Sequence, residues 1–218
     1  LHRKITDYSK KIDYAADNYD WNDQEIAKWT SALGDRGTAA AGAAGAAAGG
    51  GIPSNGPANI SAPNLNGAAY AEYRGENGNY FYQCVGYAKG RLQENLGISL
   101  GSWGNGGDAV SNLNKQYAGK TVKGLDGSEY SVEYCTPDNI KAGSIASFNS
   151  ANSAGHVVYV EDVWTDAEGT QWVRFSEANA DNRSDGGGSD GKILPPMTLD
   201  DFKNYQNGLK DLLHFEKV

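Results

Sequence analysis

Basic residues, cysteine, histidine and methionine are all scarce in this chain of 218 residues, and each shortage excludes something. Lys and Arg number 19 against 27 Asp and Glu, a formal net charge of −8. A nucleic-acid partner is therefore not expected, because binding one requires a basic face that displaces phosphate counterions. Two cysteines permit one disulfide at most, and with no Cys-x-x-Cys spacing they form neither a disulfide scaffold nor a zinc cluster. No run approaches the ~20 apolar residues of a membrane span. No basic stretch followed by an apolar one marks an export signal of the ordinary kind. The chain begins with Leu1, so it is expected to be processed or cut from something longer. What remains is 39% hydrophobic and 21% charged, enough for a packed core in a domain of roughly 150 residues.

The first 36 residues carry a helical repeat. Ile5, Tyr8, Ile12, Ala15, Tyr19, Asn22, Ile26, Trp29 and Leu33 alternate steps of three and four, an a/d seam with one polar interruption at Asn22. Lys4, Lys10, Lys11, Asp13, Asp17, Asp20 and Asp23 lie off the seam, and Gly34, Asp35 and Gly37 end the helix. So narrow a seam needs a helical partner: a preceding segment, a second copy in a dimer, or the following domain. Residues 38–51 are only Thr, Ala and Gly, and residues 52–66 then bring Pro53, Pro57 and Pro63 among Asn, Ser and Gly. Residues 37–67 thus have linker composition, with too little bulk for a core. A third part, 68–218, holds the remaining pattern.

Within that part, residues 83–96 read as a helix with Val85, Ala88, Leu92 and Leu96 on one face, and 107–117 as a second with Ala109, Val110 and Leu113 inward. Residues 120–134 read as a hairpin around Leu125-Asp126-Gly127. Strands follow at 144–149, 156–164 and 170–177, the last two joined by the turn Asp166-Ala167-Glu168-Gly169. A polar loop spans Asp181 to Gly191, a short helix 198–207 and a closing strand 210–218. Helices first and antiparallel strands after them make an α+β domain.

Cys84 begins the first of these helices. There the positive end of the peptide dipoles and unpaired N–H groups stabilise a thiolate and can receive an oxyanion. His156 opens a strand beside Gly155, well placed to point into a cleft, whereas His2 lies at the chain end and His214 in the last strand. Ser176-Glu177-Ala178-Asn179 ends the strand that follows the His156 strand across a tight hairpin. Glu177 and Asn179 share a face and lie near His156, where a carboxylate or amide fixes the ring's tautomer and orientation.

Five motifs in this order resemble the CHAP domains (cysteine, histidine-dependent amidohydrolase/peptidase), relatives of the NlpC-type cell-wall peptidases with a papain-like arrangement. They are Tyr82-Gln83-Cys84-Val85, Trp103-Gly104-Asn105-Gly106-Gly107, Gly143-Ser144-Ile145-Ala146, Gly155-His156-Val157-Val158-Tyr159-Val160 and Glu177-Ala178-Asn179. The resemblance covers residues 70–218. It implies Cys84 as nucleophile, His156 as general base and then acid, Glu177 orienting His156, and Asn179 in support. Gln83, with the Cys84 backbone N–H, would donate to the oxyanion. Tyr82, Trp103 and Asn105 would line the substrate cleft, with Tyr80 and Tyr159 as further aromatic candidates. It also implies peptidoglycan as substrate, cut at the muramoyl–L-alanine amide or at a peptide bond of the stem or cross-bridge, and a secreted or wall-bound bacterial enzyme. No cofactor is required. The calcium site of some phage members is not carried over, because the positions flanking the cysteine are Asn77, Asn79 and Gly86. Cys135 has no place in the family pattern and reads as a packed residue rather than a disulfide partner of Cys84.

Tyr19 and Asp23, four residues apart on the N-terminal helix, resemble the export signature of helical-hairpin substrates of type VII secretion. On that reading the enzyme is a wall-remodelling factor or an interbacterial toxin with an immunity protein. Two other readings stand beside it: a small-molecule amidase of the glutathionylspermidine type, and a non-catalytic wall-binding module. The latter has no need of Cys84, His156 and Glu177 together.

Overall fold

The computed structural model describes residues 60–73, 83–149, 154–178 and 191–218, all within one unit, Pro53–Val218. The expected long helix, most of the linker, Tyr80, Tyr82, Asn179 and the loop at 181–190 lie outside the described residues.

The domain is α+β, as its element order implies. Helix α1 (Cys84–Leu96) is followed by α2 (Ala109–Tyr117), a hairpin of β1 (Thr121–Lys123) and β2 (Glu129–Cys135), then β3 (Ile145–Phe148), β4 (His156–Thr165) and β5 (Gln171–Glu177). Short strands β6 (Lys192–Ile193) and β7 (Met197–Thr198), helix α3 (Leu199–Asn204) and strand β8 (Leu209–Lys217) complete it. The strands form one antiparallel sheet in the order β1-β2-β8-β3-β4-β5-β6, with β7 also on β5. The closing strand is thus central, between β2 and β3. Among the described residues no helix is long and apolar enough to cross a membrane.

Both faces of the sheet are covered, and β4 shows it most directly. Successive strand side chains point to opposite faces. Val157 and Tyr159 pack with Ala88, Leu92, Ala109, Val110 and Leu113 of α1 and α2. Val158 and Val160 pack on the other side with Phe148, Phe175 and Phe202, the last from α3. Burial on both faces explains the unbroken apolar run after His156.

Residues 60–67, linker by composition, are fastened to α1. The Ser61 carbonyl accepts from Arg91 Nη2 at 2.6 Å, the Asn64 N–H donates to Glu94 at 2.8 Å, and Tyr70 Oη donates to Glu94 at 2.9 Å. Poor bulk shows that a segment builds no core of its own; it does not show that the segment stays undocked.

Candidate active site

The site forms where the N-terminus of α1 meets the start of β4. Gln83 precedes α1 in extended backbone, and its side chain makes no capping bond to the helix. The first turn holds no acidic residue, so nothing there neutralises the positive end of the helix beside Cys84. Cys84 is half-buried and free, and its sulfur lies close enough to His156 to raise the ring's pKa.

His156 is 3% exposed, and its Nε2 pairs with Glu177 Oε2 at 2.8 Å. With Nε2 committed to the carboxylate, Nδ1 is the ring nitrogen left to serve the sulfur. Glu177 is itself 2% exposed. Burial, the largest single influence on His156, favours the neutral ring. Hydrogen bonds to Cys84 and Glu177 and the negative charge of both outweigh it, and His156 is pushed up to about 9. Such a ring is an imidazolium at neutral pH, ready to pair with a thiolate and to give a proton to a leaving group.

The turn between Trp103 and Asp108 presses on this pair from above. A Cβ at Gly106 would lie 2.9 Å from His156 Cα and 3.0 Å from Cys84 Sγ. At Gly155, where φ is +66°, a Cβ would lie 2.4 Å from Gly107 Cα, so only glycine fits both sides of the contact. The turn is pinned in two ways. Gly107 N–H donates to the Ala154 carbonyl at 2.9 Å, and the buried Ser147 hydroxyl donates to the Gly106 carbonyl at 2.8 Å while accepting from Val110 N–H. None of these pins was legible in the sequence; the paired glycines beside the asparagine were the one available signal.

Of the residues expected at the site, Cys84, His156 and Glu177 come together. Gln83 is exposed at the mouth and Asn105 is exposed on the turn, whereas Tyr82 and Asn179 lie outside the described residues. Trp103 does not line a cleft. It is 1% exposed and packs with the helices and sheet, because so large an apolar surface is more stable closed into the core. Tyr159 is likewise buried on the helical side of the sheet. Cys135 is free and buried on β2, with its thiol pushed up by desolvation, and it plays no part in the site. His214 lies on β8, 3.3 Å from Ser144 Oγ, where burial holds it below the ordinary histidine range.

Tyr205 is the residue that sequence reading missed. Its hydroxyl donates to both oxygens of Glu177, at 2.8 Å each.

Comparison with known proteins agrees with this geometry. No curated protein matches the chain. A family model for the CHAP domain matches residues 74–179, a span that opens before Cys84 and closes just beyond Glu177. Residues 74–179 are therefore identified as a CHAP domain, a domain family of peptidoglycan amidases and peptidases.

Proposed function

We propose that this domain hydrolyses an amide bond of peptidoglycan, either the bond between N-acetylmuramic acid and L-alanine or a peptide bond of the stem or cross-bridge. The observation that carries the reading is the convergence of Cys84, at a helix N-terminus, with His156 and its hydrogen-bonded partner Glu177.

The Cys84 thiolate attacks the amide carbonyl carbon, and the carbonyl π electrons move to oxygen. The Cys84 N–H and the Gln83 side chain receive that oxyanion, a contribution of several kcal/mol in sites of this kind. The C–N bond then breaks as the His156 imidazolium protonates the departing amine, leaving a thioester. Neutral His156 next takes a proton from water, the hydroxide displaces the thiolate, and the acid product leaves. Glu177 holds the ring in place throughout. Each step uses groups of this chain and water alone. Action on the wall places the enzyme outside the bacterial membrane.

The test is digestion of purified sacculi with product ends resolved by mass. New lactyl-terminated amino sugars identify an amidase, and new peptide amines identify an endopeptidase. Absence of both contradicts the proposal.

The turn above the dyad gives a second expectation. Gly106→Ala must displace either the His156 backbone or the Cys84 sulfur, and misplacement of reacting groups by about 1 Å costs roughly 10²-fold. Sacculus hydrolysis by this variant should fall by about that factor. Unchanged turnover would mean that the turn does not constrain the dyad.

A further inference from the structure

We infer that Tyr205 is a positioning residue that fixes the Glu177 carboxylate and, through it, the His156 ring; the inference rests on the hydrolase reading of the same site. Tyr205 lies 26 residues beyond the end of the span matched by the family. It opens a 3-10 turn, Tyr205–Asn207, directly after α3.

The placement is built rather than incidental. The ring packs edge-on against Phe148 at 5.5 Å and against Phe175 at 5.0 Å. Phe148 is the register partner of His156, and Phe175 precedes Glu177 by two on the same strand face. One aromatic ring is thus gauged from both strands that carry the pair. The two residues after Tyr205 adopt left-handed backbone, Gln206 at φ +47° and Asn207 at φ +65°. Non-glycine residues in that region cost free energy and persist where surrounding structure imposes them. The next carbonyl, of Gly208, accepts from Asn149 N–H at 3.0 Å, which ties the turn to the end of β3. At the other end, Thr198 caps α3 by accepting from Asp201 N–H.

The hydroxyl, rather than the ring alone, matters to Glu177. The carboxylate is buried, and its donors among the described residues are His156 Nε2 and Tyr205 Oη. The charged or titratable groups around it are His156 on β4, Cys84 beyond it on α1, Tyr205 itself, and Lys192, its cross-strand partner on β6, which is exposed. Without the hydroxyl, His156 Nε2 is the one donor among the described residues left on the buried carboxylate, which is then free to turn. A Glu177 side chain that turns away releases the His156 ring from its place beside Cys84.

The experiment is Tyr205→Phe, which keeps both ring contacts, made in the full chain with and without Glu177→Gln. Iodoacetamide alkylation of Cys84 is followed against pH by peptide mass, beside sacculus hydrolysis. A hydrogen bond to a charged group corresponds to roughly one pH unit or one decade of rate. Cys84 alkylation at neutral pH should therefore slow about tenfold. Maximal turnover should fall about tenfold with KM little changed, and both effects should vanish in the Glu177→Gln background. An unchanged alkylation rate, or a loss of equal size in both backgrounds, would overturn the inference by showing that Tyr205 acts through packing alone. Alkylation needs no substrate. Slowed alkylation in the variant of a protein that leaves sacculi intact would thus sink the hydrolase reading and leave the positioning role standing.

Discussion

Cys84→Ala should reduce sacculus hydrolysis by about 10⁴-fold or more, leaving thermal unfolding close to that of the parent. The magnitude follows from removing a nucleophile for which no neighbour substitutes; in triad enzymes such a loss costs nearly as much as removing the whole set. The near-neutral stability follows from the position of Cys84, half-buried at a helix end, so that loss of one sulfur opens no closed cavity. His156 and Glu177 would remain paired in the variant. Hydrolysis retained by Cys84→Ala would locate the chemistry elsewhere in the chain, since Cys135 is buried on β2 and has no place beside His156.

The second large effect is on stability and lies behind the site. Arg91 and Glu161 are buried and joined by two bonds, Nε to Oε1 at 2.7 Å and Nη2 to Oε2 at 3.0 Å. Arg91 also donates to Glu94 at 2.7 Å and to the Ser61 carbonyl, while Ser176 donates to Glu161 at 2.5 Å. The pairing of β4 with β5 slips by one residue between Val160 and Asp162, and Glu161 is the residue left over. That bulge aims its carboxylate at α1 instead of into the ladder. Burial alone would lower Arg91, but the partner carboxylates hold it well above its ordinary range. Arg91→Met leaves the buried Glu161 charge without its cation, a loss of about 3–5 kcal/mol. It also releases the docked segment at Ser61. Adding Glu161→Gln removes the stranded charge, so the double variant should be more stable than Arg91→Met alone. Chemical denaturation measures both. A single-variant loss below about 1 kcal/mol would mean that water reaches the pair and that the network contributes little.

What could be read from the sequence was what depends on neighbours along the chain. Cys84 at a helix start follows from the apolar spacing of α1, and His156 at a strand start follows from Gly155 and the Val-Val-Tyr-Val run. Glu177 falls near His156 because a tight hairpin at Asp166 to Gly169 pairs β4 with β5. What could not be read depends on distant pairings. The closing strand lies between β2 and β3, and nothing local in Leu209–Lys217 specifies those two partners. Tyr205 reaches Glu177 only because α3 folds back over the sheet, with Phe202 packed on Phe148 and Phe175. Trp103 was misplaced for the opposite reason: a motif gives its position in the chain, but whether its ring faces solvent or core is set by helices packed above it.

The most direct test of the account is the NMR titration of the His156 ring in the unaltered protein. The account holds that the sulfur is paired with an imidazolium kept protonated up to about pH 9 by Glu177 and by the sulfur itself. A group raised in this way keeps its proton below that value and loses it above. The ring is therefore an imidazolium through neutral pH. Its carbon-bound protons should titrate near pH 9, against about 6.5 for an ordinary histidine. A His156 ring that titrates in the ordinary range would contradict the ion pair on which the proposed hydrolysis depends.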